Sequence, residues 1–177
     1  MTNALDLAPP PILVMGVCGT GKTTLAKRIA EAAEGVYLDA DDYHPVENVT
    51  HMAAGLPLND AMRWGWLDQV AKVVKASQHE ASFVVFACSA LKFSYRERLR
   101  KGLGTMHIAH LTGPRELIAQ RMAARESHYM PITLLDSQLA DMEPPGPEEV
   151  PLICDISHPP EVLCAQILRE WGKAPLS

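Results

Sequence analysis

The sequence predicts a three-layer α/β sandwich built on about five parallel strands. Three observations lead there. Short apolar runs alternate with segments whose apolar residues recur at helical spacing. Most of these runs are apolar throughout, which suits strands covered on both faces. No internal repeat or linker divides the 177 residues, a length that suits one domain.

Each element has its own signal. The first eleven residues end in Pro9-Pro10-Pro11 and read as a flexible lead-in. Residues 12–15 are a short apolar strand that runs into glycine. Residues 22–33 form a helix on Leu25, Ile29, Ala32 and Ala33, stopped by Gly35. Residues 36–38 are strand two, ending in the acidic cluster Asp39, Asp41 and Asp42. Val46, Val49 and Ala53 mark a short helix closed by Gly55. Asn59 or Asp60 caps a longer helix with Trp66, Val70 and Val73 or Val74 on one face. Residues 82–87 are strand three. Ser94 and Glu97 make an S-x-x-E capping box for a helix through Arg100. Residues 106–111 are strand four. Gly113-Pro114 opens a helix, with proline at its first position, that runs to about Ala124. Residues 133–142 form a further helix, 143–149 a loop, 150–154 strand five and 160–171 the last helix.

Between strand one and its helix lies Gly16-Val17-Cys18-Gly19-Thr20-Gly21-Lys22-Thr23, a full G-x-x-x-x-G-K-[ST] phosphate loop. Its glycines let the backbone curl so that successive N–H groups face phosphate oxygens. The following helix adds its positive N-terminal end. Lys22 reaches the β- and γ-phosphates, and the Thr23 hydroxyl suits Mg²⁺. Gly16, Cys18, Gly19, Thr20, Gly21, Lys22, Thr23 and Thr24 are therefore the candidate ATP-binding residues.

The loop names a nucleoside triphosphate and leaves the acceptor open. No N-K-x-D string specifies guanine, which argues against a switch GTPase. Strand three runs into Cys88-Ser89-Ala90-Leu91-Lys92 rather than an Asp-Asp or Asp-Glu ending, which argues against a motor ATPase. A compact small-molecule kinase remains. Strand two ends in Asp39-Ala40-Asp41-Asp42-Tyr43-His44-Pro45, and ligands of open α/β sheets bind beyond the carboxyl ends of strands. One carboxylate there can orient an acceptor hydroxyl or take its proton, and a second can hold Mg²⁺ through water. Asp39 and Asp41 are assigned different jobs. His44, Arg63 and Lys92 are candidate cations or donors for an anionic acceptor. Arg121 and Arg125, one helical turn apart, begin a candidate lid over about 121–133, whose arginines can stabilise the transferring phosphoryl group.

Other features narrow the class. The formal net charge of −5 argues against a nucleic-acid partner. No run approaches a membrane span and no signal-peptide pattern opens the chain, so a cytoplasmic location without membrane contact is expected. Cys18, Cys88, Cys154 and Cys164 form no CxxC pair and read as reduced core thiols, Cys18 as a small filler in the loop. A redox-sensitive Cys18 is the alternative. His107 and His110, three apart in a strand, face opposite ways and make no metal site.

At this point a family resemblance enters. Leu38-Asp39-Ala40-Asp41-Asp42-Tyr43-His44-Pro45, Asn48, Met52 to Asp60, Arg63 and Trp66-Leu67 resemble P-loop gluconokinases. So do Cys88-Ser89-Ala90-Leu91-Lys92 with Tyr95-Arg96, Arg121 to Arg125 with His128-Tyr129-Met130, and Leu134-Leu135-Asp136-Ser137-Gln138 with Glu143-Pro144. Cys18 and Thr20 stand where serines are frequent. The resemblance implies transfer of the ATP γ-phosphate to the 6-hydroxyl of D-gluconate. It implies a P-loop NTPase fold like that of nucleoside monophosphate and shikimate kinases, an acceptor-binding helical region over about 40–80, and a homodimer. By position, Lys22, Asp41 and Arg125 would be catalytic, with Asp41 on the acceptor hydroxyl and Arg125 coming from the lid. Asp39 would lie nearer Mg²⁺, with Thr23. His44, Arg63 and Lys92 would face gluconate, and Arg121 the adenine or phosphates. A kinase for another sugar acid or for shikimate is the related alternative, and a non-catalytic nucleotide-binding regulatory module the distant one.

Overall fold

A computed structural model of the chain describes residues 8–125 and 131–172. Residues 1–7 of the lead-in and 126–130 of the candidate lid lie outside the described residues.

Five strands form one sheet: β1 (Ile12–Met15), β2 (Val36–Asp39), β3 (Val84–Ala87), β4 (His107–Thr112) and β5 (Leu152–Asp155). Their order is β2-β3-β1-β4-β5, and every neighbouring pair is parallel. β1 lies in the middle. Leu13 faces Phe86 of β3 on one side and Ile108 of β4 on the other. With both edges paired and both faces covered, the four residues of β1 are wholly buried, as its unbroken apolar run requires.

Alternation along β1 divides the core in two. Ile12 and Val14 point into one cluster, with Leu25 and Ile29 of α1 (Lys22–Ala32), Ile118 and Met122 of α5 (Arg115–Ala123), Leu135 of α6 (Ile132–Asp141) and Leu163 and Ile167 of α7 (Pro160–Trp171). Leu13 and Met15 point into the other, with Trp66, Val70 and Val74 of α3 (Asp60–Glu80) and Tyr95, Leu99 and Leu103 of α4 (Phe93–Leu103). Each large apolar side chain taken from water there contributes about 1.5–3 kcal/mol. α2 (Val46–Ala53) lies before α3, after a 3₁₀ turn over Ala40–Tyr43.

Several local readings needed correction. The Ser94–Glu97 capping box does not form, because α4 starts earlier, with Lys92 as its N-cap. The Phe93 N–H is met instead by Glu143 Oε2 at 2.7 Å, and Glu97 pairs with Arg100. Pro114 is the N-cap of α5, in an extended conformation, rather than its first helical residue. Strand two does not persist through Asp41. The Asp39 carboxylate accepts the Asp41 N–H at 3.0 Å and caps the 3₁₀ turn, so alternation says nothing about where Asp41 points. The 143–149 loop contains a further 3₁₀ turn over Pro147–Glu149. Asn59 is the cap of α3, through a 2.9 Å bond from Met62 N–H.

Candidate active site

The phosphate loop leaves β1 at the sheet's carboxyl edge and enters α1. Gly19 has φ 81°, and a Cβ on it would lie 2.5 Å from Met122 Cγ, so only glycine fits this bend. Val17 O accepts both the Thr20 hydroxyl at 2.8 Å and the Lys22 ammonium at 3.1 Å. Lys22 thus folds back on its own loop. Burial lowers its pKa, and the negative charge of Asp41 opposes that shift. Cys18 is buried with Sγ 3.7 Å from Met122 Sδ. Burial raises its thiol pKa, keeping it protonated and poorly nucleophilic, as a filler residue requires. All four cysteines are free and buried.

Beside this loop lies a small cavity of about 170 Å³, lined by Thr20, Gly21, Thr24, Arg121, His158 and Pro160 among others. Arg121 is fixed there by a 2.6 Å bond from its Nη2 to Ile156 O. His158, from the β5–α7 connection, and Pro160, which opens α7, carried no sequence signal of this role. Arg125, exposed past the end of α5, lies near enough that its charge acts on Lys22 and Cys18.

Across the cleft, Thr23 Oγ1 donates to Asp39 Oδ2 at 3.2 Å and Tyr37 OH donates to the same oxygen at 2.8 Å. A hydroxyl and a carboxylate converging beside a phosphate loop are hard oxygen donors of the kind Mg²⁺ takes together with phosphates and water. Asp41 still meets solvent, yet crowding by the cleft walls and then the Asp39 carboxylate push its pKa upward, with Lys22 opposing.

His44 stacks on Trp66 with ring centroids 4.2 Å apart, and Trp66 Nε1 is anchored to Ala40 O at 2.7 Å. Burial, helped by the charge of Arg63, pushes the His44 pKa down to about 4. At neutral pH it is an uncharged donor or acceptor, so of the two readings, cation or donor, it suits the donor. The amide of Asn48 donates to His44 Nδ1 at 3.4 Å, which leaves the ring proton on Nε2, 3.8 Å from Asp41 Oδ1. Arg63 lies 5.4 Å from the Tyr95 ring centroid and donates to Leu58 O at 3.2 Å. Its Nε is buried with no partner among the described residues. Lys92 bonds Asp60 Oδ1 at 3.0 Å, and the Tyr95 hydroxyl donates to the same oxygen at 2.5 Å. Asp60 and Tyr95 belong to this cluster. The sequence marked Asp60 only as a possible cap.

His107 and His110 serve opposite sides of the sheet: His107 stacks on Trp171 of α7, and buried His110 feels the charge of Arg96 of α4.

A parallel sheet of order β2-β3-β1-β4-β5, with a phosphate loop leaving its central strand, defines the class: this is a P-loop kinase. The comparisons agree. Residues 12–143 match the family model described as AAA domain. The chain is 37% identical to a probable gluconokinase of Xenopus tropicalis, over 90% of this chain and 92% of that one. It is 39% identical to a gluconokinase of Gluconobacter oxydans, over 94% of each. The crystal structure of a gluconokinase from Sinorhizobium meliloti superposes with a TM-score of 0.83 at 35% identity, covering 94% of this chain and 93% of that one. The chain belongs to the gluconokinase family. Shikimate kinase from Aquifex aeolicus, at 15% identity and a TM-score of 0.55, shares the fold alone.

Proposed function

We propose that the protein transfers the γ-phosphoryl group of ATP to the 6-hydroxyl of D-gluconate, giving 6-phospho-D-gluconate and ADP. The observation that carries this reading is the pairing of a phosphate loop with an acceptor cluster in one cleft. Lys22 of the loop and Asp41 of the cluster lie near enough for their charges to act on each other, and Arg63 holds a buried donor with no partner among the described residues. A polyhydroxy acid offers both a carboxylate for the cations and hydroxyls for the neutral partners.

In this reading Lys22 leaves Val17 O for the β- and γ-phosphates, and the loop N–H groups hold their oxygens. The cavity beside Arg121, His158 and Pro160 takes the nucleobase. Asp41 orients the acceptor hydroxyl. Because the transition state is loose, placing that oxygen in line matters more than full proton removal. His44, Arg63 and Lys92 bind gluconate. Arg125 meets charge developing on the phosphoryl group. Thr23 and Asp39 would hold Mg²⁺, which would supply neutralisation of the phosphate charge. Residues 40–80 form the acceptor region and 121–133 the lid. The family resemblance further supports a homodimer and a cytoplasmic enzyme. No described helix is long and apolar enough to cross a membrane.

A coupled ADP-release assay with a panel of sugar acids and shikimate tests the reading. D-Gluconate should give the highest kcat/KM. ATP binding without acceptor-dependent ADP release, or a preference for another acid, overturns it.

A further inference from the structure

One short segment touches both halves of the cleft. On α6, Gln138 Oε1 accepts the N–H of Cys18, inside the phosphate loop, at 2.6 Å. Just past the helix, Glu143 grips the acceptor-side loop twice. Its N–H donates to Leu91 O at 2.9 Å, and its Oε2 accepts the Phe93 N–H at 2.7 Å. The residue between those two anchor points is Lys92. Both peptide groups flanking a gluconate-binding candidate are thus held by Glu143.

The segment is built to transmit displacement. Leu135 is fully buried in the first apolar cluster, and Met142 packs against both clusters. Arg115 fixes α6 to α5 through two bonds to Asp136 at 2.7 and 2.9 Å. The loop it grips is stiff as well. Ala90 is held at φ 45°, a conformation costly for a residue with a Cβ. Fully buried Arg96 donates to Ala90 O at 2.9 Å and Leu91 O at 3.2 Å, and is itself paired with Glu149 at 2.8 Å. A stiff strut between two stiff loops resists moving one end without the other.

We infer that Gln138 and Glu143 are positioning residues that join the phosphate loop to the acceptor loop, so that each substrate tightens the site of the other. The inference rests on the cleft assignment above. Phosphate oxygens draw on the neighbouring loop N–H groups, and as the loop settles against them the Cys18 peptide, its own N–H kept on Gln138, carries Gln138 with it. Through α6 and Met142 the adjustment reaches Leu91 and Phe93, and so sets Lys92. Linkage makes the effect reciprocal.

The test is the ratio of gluconate dissociation constants without and with Mg²⁺ and adenylyl imidodiphosphate, measured by calorimetry. Wild-type protein should give a ratio of about five or more. Gln138→Ala and Glu143→Ala should each bring it towards one, and the double variant should go no further, since both cut the same strut. Glu143→Gln keeps an acceptor for Phe93 N–H and should restore the ratio. If Glu143→Ala does not fold, Gln138→Ala decides alone. A wild-type ratio of one, or variants that weaken single affinities and leave the ratio unchanged, overturns the inference. Failure of the function reading looks different: wild-type protein would then release no ADP in response to gluconate.

Discussion

The two halves of the cleft are made of different material. The nucleotide half is mostly backbone: a glycine-bent loop, a helix N-terminus, and Lys22 folded onto Val17 O. The proposed acceptor half is mostly side chains drawn from separate places: Asp41 and His44 from the segment after β2, Asp60 and Arg63 from α3, and Lys92 and Tyr95 around the start of α4. A contiguous loop carries its geometry in its own residues. A side-chain cluster depends on what holds each contributing element in place.

Substitutions that separate the halves put this difference at risk, the largest effect first. Lys22→Ala should lower kcat about 10³-fold while the melting temperature stays near wild type, because the loop's backbone survives. A comparable loss of stability would show that the loop depends on its side chain after all. Glu149→Ala should do the reverse. It leaves buried Arg96 unpaired and should cost about 3–5 kcal/mol in denaturant unfolding, although Glu149 is no part of the proposed site. Burial raises the pKa of Glu149, but the bonds from Arg96, with those from Arg100 and Gly146 N–H, outweigh it and hold the carboxyl below its ordinary value. Asp41→Asn should lower kcat about 10²-fold with the KM for ATP little changed. Near-normal turnover would remove Asp41 from its role.

The smallest effect is a matter of pH. His44 is held neutral in the folded protein, with a pKa of about 4, and takes up a proton on unfolding near its ordinary value. The unfolded chain therefore binds more protons between about pH 4 and 6.5, and stability rises with pH through that window. His44→Gln should flatten this limb relative to wild type. Urea midpoints at pH 5 and pH 7.5 check it, and an unchanged difference between the two midpoints would mean that His44 is not the group responsible.

The same contrast explains what was legible in the sequence. The phosphate loop and all five strands were readable, because periodicity and glycine spacing are local. The proposed acceptor residues Asp41, His44, Arg63 and Lys92 were reachable only as positions after strands or at helix starts. Their partners were not reachable at all. Nothing local marks Asp60 as the shared partner of Lys92 and Tyr95, or Glu143 as the cap of α4 fifty residues earlier. The S-x-x-E pattern at Ser94 misled because a distant carboxylate took the cap the local pattern offered. His158 and Pro160 reach the cavity beside the phosphate loop only because β5 lies beside β4.

The central place of β1 also bears on synthesis. β1 is made first, but its β4 neighbour is complete only at Thr112. At about 5–20 residues per second, Ile12–Met15 waits roughly 5–20 s on the ribosome for its second partner, an uncovered apolar edge throughout. Nascent chains halted before β4 should therefore be the form of this protein most prone to aggregate and most dependent on chaperones.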